Sequence, residues 1–125
     1  GAFSYLNVLD KAADASWLRE ATITNNLANV DTPGFKRKDV DFEGVLKTEL
    51  GRSKYVTLDQ KVKDLHMNHL NATAYTDSSN FSYRLDGNNV DVATEQVELA
   101  SEQLRYTALT DSITHEISRF KSVLG

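Results

Sequence analysis

Apolar residues near the beginning of the chain repeat with the period of a helix. Their spacing of three or four residues places them on one face of an α-helix; the residues are Leu6, Leu9, Ala13, Trp17, Ala21, Thr24 and Leu27. We therefore predict an N-terminal helix over 3–30, about 40 Å long. Ser4 is the expected N-cap, because its hydroxyl can accept a hydrogen bond from the first turn. The preceding Gly1-Ala2 pair is interpreted as a tag remnant.

The last third of the chain carries a heptad repeat. Its apolar positions recur every seven residues, with further positions three or four residues later, and we call them the seam: Leu99, Tyr106, Leu109, Ile113, Ile117, Phe120 and Leu124. This pattern predicts a coiled-coil-like helix within 87–124. Asp91 or Asn89 is the expected cap, while Glu95 and Glu98 in the first turns suit the helix dipole.

A further apolar row lies beside the seam on the first half of the same helix. This second stripe consists of Val97, Ala100, Leu104 and Ala108. Two rows on one helix predict more than one neighbour, and two helices alone leave much of each apolar face in water. Association with other subunits is the expected solution. The alternative is that the middle of the chain folds back and covers these faces.

The middle of the chain, 31–86, is expected to be irregular. Thr32, Pro33 and Gly34 predict a turn that stops the first helix, with Gly34 supplying a positive φ. A short extended piece and a helical turn are expected next, and then loops with one short helix around Asp59–Leu70. A small β-hairpin is an open alternative within this segment. The sequence thus predicts a mainly α fold in which the two terminal helices pack as a coiled-coil-like pair. The helices and the irregular middle segment are expected to form one structural unit.

Composition excludes several classes of protein. The 125 residues suit one domain and include no cysteine, which excludes disulfide frameworks and thiol chemistry. No apolar run is long enough for a direct membrane span. The basic cluster Lys36–Lys38 is followed at once by Asp39, Asp41 and Glu43. Because the signs alternate, we expect a solvated surface here and no nucleic-acid partner.

Candidate chemistry is sparse, so we expect neither an enzyme nor a cofactor. His66 and His69 are spaced to reach one metal ion, but two ligands do not make a site and no HExxH motif is present. His115 stands alone on the last helix. Nucleophile-elbow and phosphate-loop motifs are also missing. We therefore predict no catalytic residue and no metal ligand.

Three asparagines near the end of the first helix call for an explanation. Asn25, Asn26 and Asn29 lie within five residues, although asparagine is a mediocre helix former. One interpretation is a frayed helix end that leads into the turn. The other is a set of buried amides that fix the lateral register of helix packing, since buried polar groups prevent apolar faces from sliding.

Two blocks resemble the signatures of the bacterial flagellar basal-body rod proteins. The first, residues 22–42, contains Asn25, Asn26 and Asn29 and then the turn Thr32-Pro33-Gly34-Phe35. The second, residues 87–109, begins at Gly87 and contains Asn89 and Asp91. Within the family, the short length and the stretch Asp39–Phe42 are most similar to the proximal rod subunit. The run Leu104–Leu109 lacks the Arg-Ala-Tyr/Phe-x-Ala-Asn pattern of the other rod and hook proteins.

This resemblance implies a structural role. It implies export by the flagellar type III apparatus without a cleaved signal, location in the basal body within the cell envelope, and assembly that transmits torque. The implied partners are other copies, neighbouring rod subunits, a motor-ring adaptor and the export apparatus. Asp at Leu109 or Ile113 is then expected to abolish assembly and leave export intact. The alternative is a cytosolic coiled-coil regulatory or chaperone-like binding protein, which should form a closed dimer.

Overall fold

Two long helices dominate the computed structural model, which describes residues 1–52, 83–85 and 89–125. In chain order the elements are α1 (Ala2–Ala28), β1 (Lys38–Val40), α2 (Phe42–Arg52), β2 (Tyr83–Leu85) and α3 (Val92–Leu124). The prediction of a mainly α fold with paired terminal helices is confirmed. The short helix expected around Asp59–Leu70 lies outside the described residues, as does most of the segment considered for a hairpin.

Helix α1 differs from the predicted helix at both ends. It begins at Ala2, with Gly1 in the capping position and no side-chain cap, so the prediction of Ser4 as N-cap was wrong. It ends at Ala28, two residues earlier than expected. The Asn29 amide still donates to the carbonyl oxygens of Asn25 and Asn26, at 3.2 and 3.1 Å. The backbone after this point leaves the helical path and enters the turn.

The predicted turn is present directly after α1. The Phe35 amide donates to the Thr32 carbonyl oxygen at 3.1 Å, which closes a four-residue turn around Pro33 and Gly34. Gly34 has a φ of 75°, the value that a type II turn requires at its third position. The ring of Pro33 fixes its own φ at a value that suits the second position of this turn. Both residues therefore fit their positions. The turn redirects the chain from α1 toward β1.

The segment after the turn is more regular than the sequence indicated. In place of one helical turn, α2 has 11 residues. The Asp41 side chain accepts a hydrogen bond from the Gly44 amide at 3.1 Å, which caps the start of α2. Strands β1 and β2 pair antiparallel, with Lys38 opposite Leu85 and Val40 opposite Tyr83. These strands are distant in sequence, so they do not form a tight hairpin.

Helix α3 begins directly after Asp91, one of the two residues expected to cap it. The Asp91 carboxylate accepts a hydrogen bond from the Thr94 amide at 3.1 Å. Glu95 follows in the first turn, and Lys121 lies in the last turn. Asp91 is therefore the cap.

The core lies between α1 and α3, which run antiparallel. Leu9 and Ala13 of α1 pack with Ile113 of α3, and Ile113 is only 1% exposed. At one end the rings of Phe3 and Phe120 stack with centroids 4.8 Å apart. Partly buried seam residues surround this cluster, namely Tyr106, Leu109 and Ile117. The helix pair thus buries its main apolar faces within a single chain.

Candidate functional site

The packing residues proposed for α1 are buried or half-buried in the structure. Leu6, Leu9 and Ala13 are buried, while Trp17 and Leu27 are half-buried. The Trp17 ring lies against Tyr106, with centroids 5.3 Å apart. On α3, Ile113 is buried and the other proposed residues are half-buried: Leu99, Tyr106, Leu109, Ile117 and Phe120. The structure therefore brings Leu9, Ala13 and Trp17 together with seam residues of the same chain.

The second stripe has a different environment. Val97 and Leu104 are 68% and 73% exposed, and Ala100 and Ala108 are also exposed. A helix turns by about 100° per residue, so Leu104 lies roughly opposite Ile113 on α3. The second stripe consequently faces away from α1, and no described element covers it.

Charged residues on this part of α3 point inward. From 96 to 108 the charged residues are Glu98, Glu102 and Arg105, and all three are buried or half-buried. The exposed residues of the same stretch carry no formal charge: Gln96, Val97, Ala100, Ser101, Gln103, Leu104, Thr107 and Ala108. A helix that faces water normally has the opposite arrangement. Depletion of charge around exposed apolar side chains is typical of the centre of a protein interface.

The inward charges belong to a network centred on Arg19. Its guanidinium lies 2.7 Å from an Asp39 oxygen, 2.8 Å from Glu98 and 2.8 Å from Glu102. The Arg19 side chain is 12% exposed and that of Glu102 is fully buried. The Ser16 hydroxyl donates to the second Glu102 oxygen at 2.5 Å. One cation on α1 thus connects α1 with β1 and α3.

A second set of contacts attaches β1 to the helices. Arg37 forms a close ion pair with the buried Glu95 at the start of α3. Asn26 is fully buried. Its amide nitrogen donates to the Lys38 carbonyl oxygen at 2.8 Å, and its amide oxygen accepts from the Lys38 amide at 3.0 Å. One α1 side chain thereby replaces a strand partner for the β1 backbone.

These contacts correct the expectation for the basic cluster. Arg37 and Asp39 do not form a solvated surface, because their side chains are only 13% and 6% exposed. Their charges are neutralised by Arg19 and Glu95, which come from distant parts of the chain. Lys36 remains exposed, and its ammonium donates to the Asn89 side-chain oxygen at 2.7 Å. The acidic residues in the first turns of α3 thus serve in ion pairs as well as at the helix dipole.

The three asparagines have different roles. Asn26 makes the two hydrogen bonds with the Lys38 backbone described above. Its amide nitrogen also lies 3.4 Å from a Glu95 carboxylate oxygen. Asn25 is exposed, whereas Asn29 is half-buried and donates from its side chain to the Asn25 carbonyl oxygen at 2.9 Å. The Thr32 hydroxyl donates to Asn29 at 3.1 Å. Within the chain, the interpretation as buried amides fits Asn26, and the interpretation as a helix end fits Asn29.

Electrostatics of the network shift the pKa values of its members in defined directions. Burial alone lowers the pKa of Arg19, but its hydrogen bonds with Asp39, Glu102 and Glu98 raise that pKa above its ordinary value. Burial alone raises the pKa of Asp39. Hydrogen bonds from Arg19 and the Val40 amide, with the charges of Arg19 and Arg37, outweigh burial and hold the pKa of that carboxyl below its usual range.

The depressed pKa of Asp39 predicts a pH dependence of stability. The ionised carboxylate stabilises the folded chain above the unfolded pKa of about 3.9, and this contribution is lost as pH falls through the lower folded pKa. We expect the difference in unfolding free energy between the wild type and Asp39→Asn to be largest near neutral pH and to shrink in acid. Urea denaturation across this range measures it. A difference that is constant with pH contradicts the assignment.

The comparison with Asp39→Asn is needed because the pKa of another carboxyl group is shifted in the opposite direction. Burial and the charge of Glu102 raise the pKa of Glu20, so acid relieves an unfavourable interaction there. Subtracting the Asp39→Asn profile from that of the wild type removes this background, since Glu20 is present in both chains. Only the difference between the profiles is interpreted.

Within the described ranges, no group of three potential ligands is placed to hold a metal ion. His66 and His69 lie outside these ranges, while His115 is exposed on α3. None of the described helices has the length and apolar character needed to cross a bilayer. The described structure shows an exposed apolar stripe on α3 and an internal ion-pair network.

Comparisons with known proteins give a consistent family assignment. Residues 6–36 match the family described as flagella basal body rod protein. Flagellar basal body rod protein FlgB of Bacillus subtilis (strain 168) is 35% identical over 116 residues, 93% of this chain and 89% of the relative. The Borrelia hermsii protein of the same name is 35% identical over 98% of this chain and 89% of its own. That of Escherichia coli (strain K12) is 30% identical, covering 85% and 82%. The chain therefore belongs to the flagellar basal body rod protein family and is FlgB-like along most of its length.

Proposed function

We propose that the second stripe of α3 is the surface through which this rod subunit packs against its neighbours. The family is one of structural proteins of the flagellar rod, not a class of enzymes, and the chain is such a structural subunit. The observation that carries the proposal is the uncharged outward face around Val97 and Leu104. Burying such a face against another subunit removes apolar area from water without stranding a charge.

This proposal changes the role of the seam. Sequence periodicity assigned assembly to both terminal helices, but Leu9 and Ile113 already pack together within one chain. The seam therefore builds the subunit, and the second stripe connects subunits. The Arg19 network supports this division, because it fixes α1, β1 and α3 relative to one another before any neighbour binds. A subunit held this rigidly is suited to transmitting torque.

The partners follow from membership of the rod. The chain would associate with other copies, with neighbouring rod components and with an adaptor of the motor ring. It would reach the cell envelope through the flagellar type III export apparatus without a cleaved signal. The absence of cysteine supports this route, since no disulfide has to be opened before the chain passes through a narrow channel. Family membership favours this function over that of a cytosolic coiled-coil regulator.

Replacing Leu104 with Asp should prevent assembly and leave the subunit folded. A charge on a 73% exposed side chain is solvated in the free chain but becomes unpaired and buried in the proposed interface. On sedimentation of concentrated protein, we expect the wild type to form large assemblies and the variant to form none, with the same circular dichroism melting curve for both. In cells whose own proximal rod subunit has been replaced, the variant should abolish swimming.

Ser118→Asp is the matched control. Ser118 is also exposed on α3, but it lies beyond the second stripe. It should assemble and support swimming like the wild type. If Leu104→Asp assembles as well as Ser118→Asp does, the second stripe is not the packing surface.

A further inference from the structure

A second apolar surface lies on the side of the helix pair. It is a groove of about 620 Å³ between α1 and α2, and its two walls are formed by Tyr5, Val8 and Ala12 on α1 and by Phe42, Leu46 and Leu50 on α2. Tyr5 and Leu50 are about half exposed at its rim. No residue of the second stripe lines this groove.

The groove has the length of the second stripe. Tyr5 and Ala12 are seven residues apart on one wall, which corresponds to about 10 Å of helix. Phe42 and Leu50 span about 12 Å on the other wall. Val97 and Leu104 are also seven residues apart, so they form a ridge about 10 Å long. A ridge of this length can lie between the two walls, as amphipathic helices do in helix-binding grooves.

The chemistry of the two surfaces is also complementary. Arg105 is the charged residue of the groove lining, and its guanidinium is already engaged. It lies 4.1 Å from the centre of the Phe42 ring and 3.5 Å from Glu102. The face that carries the second stripe has no formal charge between 96 and 108. Joining the surfaces therefore buries apolar area and leaves no new charge without a partner.

The second stripe and the groove of one subunit face different directions, so they cannot contact each other. Leu109 lines the groove, and it lies roughly 140° around α3 from Leu104. Each chain therefore presents a ridge in one direction and a groove in another. Contacts of this head-to-tail kind need not close, and repeated contacts produce an open helical assembly.

We infer that the second stripe of one copy packs into the α1–α2 groove of the next copy. This inference rests on the proposed function, because it names the surface that the second stripe meets. Each subunit then donates one ridge and accepts another, and the same contact repeats along the assembly. A stripe-to-stripe contact would instead join α3 to α3 in a closed pair.

Cross-linking between single-cysteine variants tests the pairing. The chain has no cysteine, so Leu104→Cys and Leu50→Cys each introduce a unique reactive site at an exposed position. One variant is labelled with ¹⁵N, the two are mixed and assembled, and a short bis-maleimide is added. Mass spectrometry should find a product that joins a labelled chain to an unlabelled one. Thr48→Cys is the control for Leu50→Cys, since Thr48 is exposed on the opposite side of α2.

Each outcome has a defined meaning. Several times more mixed product with Leu50→Cys than with Thr48→Cys supports the inference. Equal yields, or a Leu104→Cys product with itself in place of the mixed one, overturn it. If assemblies form and depend on Leu104 but the cross-links fail to follow this pattern, the proposed function stands and the groove is not the acceptor. If Leu104→Asp assembles normally, the proposed function falls and the inference falls with it.

Discussion

Replacing Ile113 with Asp should strongly destabilise the pair of terminal helices. Ile113 is 1% exposed and packs directly on Leu9 and Ala13. The substitution removes a buried aliphatic side chain and places a carboxylate among apolar neighbours. A loss of about 4 kcal/mol or more in unfolding free energy is expected. Because domains of this size are stable by roughly 5–15 kcal/mol, this loss removes a large share of the stability of the folded chain.

Urea denaturation followed by circular dichroism measures this effect, and two variants calibrate it. Thr114→Asp introduces the same charge at the adjacent exposed position and should change stability by less than about 0.5 kcal/mol. Ile113→Val keeps the site apolar and should cost about 1 kcal/mol. If Ile113→Asp is as stable as Thr114→Asp, the packing of α3 on α1 is wrong.

The same variant refines the expectation for assembly. Asp at Ile113 should abolish assembly, as the heptad pattern indicated, but the reason is different. The structure places Ile113 inside the subunit, so assembly fails because the fold of the subunit is weakened. Leu104→Asp should fail with its fold intact. Comparing the melting curves of the two variants separates loss of the fold from loss of the interface.

Replacing Arg19 with Met should have the second large effect. Met preserves much of the side-chain length and removes the guanidinium that contacts Asp39, Glu98 and Glu102. Glu98 can turn toward water, but Glu102 and Asp39 are buried and lose their main cation. Breaking a buried ion pair from one side costs about 3–5 kcal/mol. The expected result is a comparable fall in unfolding free energy.

Arg119→Met is the matched control for this substitution. Arg119 also pairs with a glutamate, Glu116, at 2.9 Å, but its side chain is 66% exposed. Solvent screens such a pair, and its loss should cost less than about 1 kcal/mol. The two substitutions exchange the same residue types. A difference between their effects on stability therefore shows whether burial of the arginine matters. If the two substitutions lower the unfolding free energy equally, the Arg19 network does not have the stabilising role assigned to it.

The sequence was sufficient for the terminal helices and for the turn between α1 and β1. A sustained repeat of apolar residues determines a helix locally, and Pro33 with Gly34 determines a turn locally. The end of α1 was placed two residues too late, because the contact of Asn29 with the Asn25 carbonyl is not evident from residue types. Helix α2 was underestimated, since Gly44 lowers helix propensity and the capping contact from Asp41 compensates for it.

The charge network could not be predicted in the same way. Arg19 and Glu102 are 83 positions apart, and their meeting depends on how α1 and α3 align. The alternating signs around Arg37 and Asp39 suggested a solvated surface. The sequence separated the seam from the second stripe, but it did not show which of the two rows packs within the chain. Once Glu98 and Glu102 face Arg19, the second stripe must face outward, and this follows only from the packed structure.

The pairing of β1 with β2 has a consequence for how the molecule can vary. Val40 and Tyr83 lie opposite each other in the antiparallel register, so the intervening chain departs and returns at adjacent positions. The entropic cost of joining two fixed ends grows slowly with the length of the connecting chain. Residues can therefore be gained or lost between α2 and β2 while the pairing of β1 with β2 is preserved. The helix pair should tolerate insertions and deletions at that point.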